Sequence, residues 1–423
     1  MDRFVIQGPT RLAGTVAASG AKNAALPALA ASLLTDQPLV LGRVPRVRDI
    51  ATFLRLLGHL GVGHEESEGA LVLAPHGPAR TADEAPYEVV KTMRASVLVL
   101  GPLLARHGHA RVSLPGGCAI GVRPIDQHLA GLAALGAEVR LEHGYVDAQA
   151  RRLSGCRFRF GLPTVTGTEN LLMAAALARG TTVLENCARE PEVADLARLL
   201  TSMGARIEGA GTGTVTVEGV EALSGARHEV IADRIEGGTY LVGAALTGGD
   251  VLLTGAEPAD LAPLLEKLAE CGAAVEASPS GVRVRRGRPL IPRDVATAPH
   301  PGFPTDLQAQ YMVLMTQAEG SAEISETVFE NRFQHVPELA RMGADIRVEG
   351  SLARVRGATP LSGATVMATD LRASACLVLA GLAATGETTV DRIYHLDRGY
   401  ERMELKLQDL GARVRRVAGP ANP

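Results

Sequence analysis

The segment Ser113–Leu129, SLPGGCAIGVRPIDQHL, gathers the residue types of a reactive site. Pro-Gly-Gly makes a turn that exposes the Cys118 that follows it. Arg123, five residues on, would favour the thiolate, so Cys118 reads as a reactive thiol rather than core filling. Charged residues elsewhere recur at fixed places relative to the glycine of one repeated phrase. Arg48, Arg123 and Arg398 each stand thirteen residues before such a glycine, and Arg332 stands eleven before its own. Lys22 and Arg372 stand 39 before theirs, with Arg94, Arg234 and Asp306 close to the same place. The first set falls in loops that lead into helices and the second at helix starts. Helix N-termini already offer free N–H groups and a partial positive charge, so added Lys or Arg makes anion sites. The chemistry implied is the grip of a phosphorylated, anionic substrate. Asp306 and Asp370 also suit the bland role of helix N-caps. Glu330, Asn331, Arg332 and His335 share one loop-to-helix transition, SETVFENRFQHVPEL.

The elements that must position these residues follow from the phrase itself. It is an apolar helix end, then Gly, then a short alternating segment, and it recurs at Gly61, Gly136, Gly204, Gly272, Gly343 and Gly411. Six units of about seventy residues therefore fill the chain. Leu at i and i+3 marks the buried face of a helix's last turn, the Gly supplies a left-handed cap, and the alternation predicts a half-buried strand. About forty residues earlier each unit carries a small-residue helix, such as AALPALAASLL, ENLLMAAALA and SACLVLAGLAA. These helices are apolar on nearly all sides, so they belong inside a domain. A strand such as TTVLEN or TTVDRI follows each. The fold class is α/β, with six repeats grouped as two domains of three and a midpoint near HEVIADRIE.

Composition excludes several function classes. The 423 residues are 46% hydrophobic and 21% charged with net charge −3, which is globular and leaves no basic field for nucleic acid. Aromatics are 3% with no Trp, too few for stacking platforms. Residues 1–20 lack the pattern of a signal peptide, and no apolar run reaches the length of a membrane span. A cytoplasmic protein with no membrane partner is expected. Cys156, Cys187, Cys271 and Cys376 have no reactive setting, and no CxxC spacing suggests structural zinc. No HExxH, GxSxG, Walker or dinucleotide fingerprint occurs.

SGAKNAALP, KTMRAS, SLPGGCAIGVRPID, EPEVAD, FPTDLQAQ, ENRFQHVPEL, ATDLRAS and RIYHLDRGYERM together resemble the UDP-N-acetylglucosamine 1-carboxyvinyltransferases, a family of enolpyruvyl transferases. The likeness runs from residue 1 to about residue 415. It implies two inside-out α/β domains, each of three repeats around internal helices, with residues 22–232 forming the first and residues 1–21 plus 233–423 the second. It implies transfer of the enolpyruvyl group of phosphoenolpyruvate to the 3-hydroxyl of UDP-N-acetylglucosamine, the committed step toward peptidoglycan. By the same resemblance Lys22, Asn23, Arg123 and Arg398 would bind phosphoenolpyruvate. Cys118 would protonate its methylene carbon and could form a covalent adduct. Asp306 would take the hydroxyl proton, with Lys22 and Arg398 sharing in catalysis. Asn23, Arg94, Arg123, Pro124, Ile125, Asp126, Gln127, Asp306 and Val328 would contact the sugar nucleotide, and Arg332, Asp370 and Arg372 would support the site. No metal or organic cofactor is needed on that route. One departure stands in GLPTVTGTEN, residues 161–170, where many members have a Ser-Val-Gly-Ala run and some have a Lys in place of Leu162. The uracil-side contacts of Thr164–Gly167 are therefore not carried over.

The nearest rival is the related transferase acting on shikimate 3-phosphate, but this chain has the Cys118 loop and lacks a Gly-Asn-Ala-Gly-Thr run. A six-repeat clamp around DNA would need Lys and Arg spread along helices, whereas here they group at helix starts and loops. A catalytically dead sugar-nucleotide sensor would not need Cys118, Asp306 and Arg398 together.

Overall fold

The computed structural model describes residues 2–75, 83–91, 93–114 and 125–419. Each repeat contributes a pair of helices. They are Lys22–Ala31 (α1) and Arg48–His59 (α2), Leu100–His107 (α3) and Asp126–Ala134 (α4), and Val165–Ala176 (α5) and Pro191–Ser202 (α6). The later pairs are Arg234–Leu246 (α7) and Ala262–Glu270 (α8), Gln308–Thr316 (α9) and Val336–Arg341 (α10), and Leu371–Ala383 (α11) and Met403–Asp409 (α12). The first helix of each pair is the internal one. All nine residues of α9 are buried, as are residues 24–31 of α1, as all-round apolar sequence requires. Small side chains let these helices approach closely. A Cβ on Gly101 would lie 2.3 Å from the Asn170 side chain, so α3 can meet α5 there only through glycine.

Among the described residues, six four-stranded sheets pack around the internal helices. One pattern recurs: a parallel pair at one side, then two antiparallel neighbours. In the third repeat Arg157–Arg159 runs parallel to Thr181–Glu185, which pairs with Thr214–Glu218, which pairs with Arg206–Glu208. The six phrase glycines all have positive φ, from 84° at Gly61 to 107° at Gly204, the left-handed cap that only glycine adopts without strain. The strand after each glycine is more exposed than the half-buried strand expected from its alternation. It is the outer edge of its sheet in every repeat, with one neighbour only, and Arg206–Glu208 buries no residue fully. The alternating burial belongs to its hairpin partner, as in Leu352–Arg356.

Two exchanges close the architecture. Arg227–Glu229 runs parallel to Leu39–Gly42 and completes the first sheet, while Ala13–Ala17 runs parallel to Asp250–Thr254 and completes the fourth. The N-terminal strand Arg3–Gly8 lies between Gly386–Asp391 and Arg413–Val417, supplying the hairpin strand that the sixth repeat lacks. The chain accordingly divides into two compact units, residues 20–231 and residues 2–19 with 232–419. Each has its own hydrophobic core of Ala, Val, Leu and Ile around three internal helices.

Candidate functional site

In the second unit (residues 2–19 and 232–419) the predicted residues converge on one carboxylate. Asp306 lies in the 3-10 turn Thr305–Leu307 that enters α9. Arg332 Nη2 donates to its Oδ1 at 2.8 Å, and Arg372 donates to Oδ2 through Nε at 3.1 Å and Nη2 at 2.9 Å. Both arginine side chains are buried, while Asp306 keeps 27% of its side chain open. Burial pulls the Asp306 carboxyl upward, but the Arg372 and Arg332 guanidiniums outweigh it and hold the group far below the ordinary carboxylate range. Asp370 N-caps α11, accepting from the backbone N–H of Arg372 at 2.8 Å and of Ala373 at 3.0 Å, so the cap also sets where Arg372 begins. The N-cap role expected for Asp370 is therefore the one its hydrogen bonds fill.

Arg398 ends the 3-10 segment Ile393–Arg398, half-buried. Its charge is felt at His395, where burial first and Arg398 second lower the imidazole pKa against the pull of Asp370. His335, at the start of α10, is buried and its pKa falls to about 4, driven by burial, with Asp370 opposing and Arg332 adding to the fall. Val328 stays partly exposed, and its backbone N–H donates to Glu326 at 2.9 Å.

Glu326 is a residue that sequence reasoning missed. Its Oε1 accepts from Thr297 Oγ1 at 2.9 Å, Val328 N at 2.9 Å and Phe329 N at 3.1 Å, and its Oε2 accepts from Thr305 Oγ1 at 2.8 Å. It is 3% exposed, and its four donors tie the turn carrying Asp306 to the loop that leads to Arg332. Only its place directly after the strand Ser321–Ser325 could have drawn attention to it. Below this shell, Gln310 Nε2, Thr239 Oγ1 and Tyr400 OH hydrogen-bond at 2.9–3.2 Å and join α9 and α7 beneath the Arg372 guanidinium, which lies 5.5 Å from the Tyr400 ring centre.

In the first unit (residues 20–231) Lys22 is the first residue of α1, and its Nζ sits 3.0 Å from Asp49 Oδ2 in a largely buried pair. Asp49, in the first turn of α2, was not singled out from sequence. Asn23 follows Lys22 on the same first turn, half-buried. Arg94 begins the 3-10 segment Arg94–Val99 that runs into α3. Ile125 precedes α4 and is buried, while Asp126 opens the helix and is exposed. Gln127 turns its amide onto the backbone of Gly161 and Leu162. Cys118, Arg123 and Pro124 lie outside the described residues.

The next residue, His128, was also missed. It is buried, and burial first and the Arg94 charge second lower its pKa to about 3. Asn170 Nδ2 donates to its Nδ1 at 3.0 Å, which leaves the ring proton on Nε2, facing Thr166 Oγ1 at 3.2 Å. The Arg94 charge is thus felt in the first turn of α4.

Each unit thus carries cationic side chains at the entrances of its internal helices. The profile of the EPSP synthase (3-phosphoshikimate 1-carboxyvinyltransferase) family matches residues 6–407. The chain belongs to the EPSP synthase family of enolpyruvyl transferases. Within that family it is 57% identical over 421 residues to UDP-N-acetylglucosamine 1-carboxyvinyltransferase of Koribacter versatilis, covering 99% of this chain and 97% of that one. It is 56% identical over 418 residues to the protein of the same name from Desulforapulum autotrophicum, covering 99% and 100%. Among solved structures, the enolpyruvyl transferase NikO from Streptomyces tendae superposes with TM-score 0.88 at 28% identity, covering 99% of each chain. EPSP synthase from Acinetobacter baumannii superposes with TM-score 0.75 at 19% identity over 99% of this chain and 100% of that one, a likeness of fold alone. The resemblance and the six-repeat α/β fold expected from the sequence are both borne out. Among the described residues no helix is long and apolar enough to cross a membrane, and no group of three or more His, Cys, Asp or Glu could hold a metal.

Proposed function

We propose that this protein transfers the enolpyruvyl group of phosphoenolpyruvate to the 3-hydroxyl of UDP-N-acetylglucosamine, with release of phosphate, as a cytoplasmic enzyme of peptidoglycan precursor synthesis. The observation that carries this reading is 56–57% identity over almost the whole chain to two proteins bearing that name. The related activity on shikimate 3-phosphate has weaker support, because the structural neighbour of that kind is only 19% identical.

In the proposed reaction the sugar hydroxyl oxygen forms a bond to C2 of phosphoenolpyruvate while the Cys118 thiol delivers a proton to C3. Asp306 accepts the proton that the hydroxyl loses. The Cys118 thiolate then takes a proton back from C3 of the tetrahedral intermediate as the C2–O bond to phosphate breaks, which forms the enol ether and releases phosphate. Attack and protonation at adjacent carbons need an acid and a base on opposite sides of the reacting pair. Lys22, Asn23, Arg123 and Arg398 bind phosphoenolpyruvate, whose phosphate and carboxylate keep their charges throughout. Asn23, Arg94, Arg123, Pro124, Ile125, Asp126, Gln127, Asp306 and Val328 bind the sugar nucleotide. Asp306, held by two guanidiniums, is a weak base at rest. It gains strength when a bound substrate draws one of them away, so proton removal is confined to the loaded site. The Lys22–Asp49 pair has the same logic, since an incoming phosphate competes with Asp49 for the ammonium.

The test is incubation of the purified protein with phosphoenolpyruvate and UDP-N-acetylglucosamine, reading phosphate release and product mass, with Cys118→Ala alongside. Phosphate release that depends on the sugar nucleotide, with a product heavier by one enolpyruvyl unit and lost in the variant, is expected. Turnover with shikimate 3-phosphate instead would overturn the substrate assignment.

A further inference from the structure

The edge strand Arg413–Val417 carries one residue that its alternation does not call for. Side chains two apart on a strand share a face, so Arg416 lies on the face of Val414, which is buried. In the neighbouring strand Arg3–Gly8 it stands opposite Phe4, which is fully buried. That face asks for an apolar side chain at residue 416, and an arginine is there instead. Its guanidinium lies 5.2 Å from the Phe4 ring centre, and its side chain is only 30% exposed.

The charge is directed at one segment. Arg416 Nη2 donates to Asp397 Oδ1 at 2.6 Å and Nη1 donates to Asp397 Oδ2 at 3.1 Å, the two-pronged pairing of a guanidinium with a carboxylate. Nε donates to Glu404 Oε1 at 2.9 Å, and Nη1 also reaches Asp2 Oδ2 at 3.4 Å. Asp397 stands directly before Arg398, and Glu404 lies in the first turn of α12. One side chain therefore holds both ends of the stretch that follows Arg398.

This stretch needs holding. Arg392 and Arg402, on either side of residues 393–401, have φ of 60° and 45°, the left-handed region that residues other than glycine seldom enter. Such backbone persists only where its surroundings over-determine it. Ile393, Leu396 and Tyr400 are buried and fix the apolar side of the segment, and the backbone N–H groups of Gly399 and Tyr400 donate to the Leu396 carbonyl at 3.0 and 2.9 Å. Arg416 grips the polar side at Asp397.

We propose that Arg416, through its paired contact with Asp397, is a positioning residue that sets where Arg398 is presented to phosphoenolpyruvate. This rests on the reaction proposed above, in which Arg398 binds that substrate. The use of phosphoenolpyruvate then depends on Arg416 through the segment, and the affinity for the sugar nucleotide does not.

The experiment pairs steady-state kinetics with amide hydrogen exchange and thermal melting on the full-length protein. Arg416→Met keeps an apolar stem against Phe4 and removes the charge. Asp397→Asn attacks the same pair from the other side, a double variant combines the two, and Arg415→Met, on the exposed face of the same strand, is the control. The pair is partly exposed, so Arg416→Met should lower kcat/KM for phosphoenolpyruvate about fivefold, with KM for UDP-N-acetylglucosamine changed less than about twofold. Asp397→Asn should show the same split, and the double variant should be no worse than the worse single one, because both remove one interaction. Exchange at Gly399 and Tyr400 should rise in these three and keep the wild-type rate in Arg415→Met. A lower melting temperature with unchanged kinetics would overturn the proposal, because Arg416 would then only guard the sheet edge. A lower kcat/KM with unchanged exchange would overturn it too, as would single losses that multiply in the double variant, because the effect would then not pass through the Asp397 pair. Wild-type protein that releases no phosphate with these substrates would remove the proposed reaction and the kinetic claim together, whereas unchanged exchange in variants of an active protein would remove this inference alone.

Discussion

Replacing Arg332 with Gln removes one of the two charges on Asp306 while keeping a polar stem of similar reach. An opposite charge at hydrogen-bonding distance lowers a carboxylate pKa by about 1–3 units. Arg332 makes one contact to Asp306 and Arg372 makes two, so the loss of Arg332 belongs at the low end. A rise of about one unit in the Asp306 pKa follows, equivalent to about 1.4 kcal/mol. Asp306 acts as a base only when ionised, so the rate falls as pH drops through its pKa. In the wild type that acid limb lies below the ordinary carboxylate range, and in Arg332→Gln it moves up toward it. The assay is phosphate release from pH 8 down to about pH 2, where the acid limb must enter, read as kcat/KM for phosphoenolpyruvate at saturating sugar nucleotide, with Asp306→Asn as the reference that lacks the group. An acid limb that stays where it is in Arg332→Gln would refute the reasoning, since Asp306 would then not be the titrating base or would not feel Arg332.

Three further outcomes are expected. His128 has its pKa lowered to about 3 in the fold against an ordinary 6.5, so the unfolded chain binds more protons between those values. Stability from this group is full above pH 6.5 and is lost as pH falls toward 3, and the melting temperature of His128→Gln should decline less steeply over that window. Glu326→Ala removes the shared acceptor of four hydrogen bonds, which should lower the rate at least tenfold by loosening the Asp306 turn, whereas Thr297→Val removes one of those bonds and the one Thr297 Oγ1 accepts from Thr327 N, and should cost less than about threefold in the same assay. Gly204→Ala forces a side chain to φ 107° and should cost about 1–2 kcal/mol, seen as a fall of a few degrees in melting temperature, while Gly58→Ala, inside α2 with open space around it, should be neutral or stabilising.

The repeat was legible because its signal is local. Each phrase glycine needs a left-handed cap whatever surrounds it, and each internal helix is apolar all round because no face meets water. The helix-start cations were legible for the same reason, since Lys22, Arg94, Arg234 and Arg372 stand at or beside the first residue of their segments. Sequence also announced Asp306, but not that two buried arginines from separate repeats would hold it, because that pairing is set by how α9, α10 and α11 pack. Glu326, Asp49 and His128 escaped notice because a lone acid or histidine has no periodic mark, and its side-chain partners lie 21 to 42 residues away. The strand exchanges were hidden too. Nothing in Arg227–Glu229 says that it pairs with Leu39–Gly42, and nothing in Arg3–Gly8 says that it fills the sixth sheet. Sequence by itself determined the six units, their helix caps and the charges at their entrances, which depend on neighbours within one helical turn. Tertiary structure decided which strand completes which sheet and which carboxylate meets which guanidinium, because a hydrogen-bonding edge or a buried charge accepts any partner that packing brings to it.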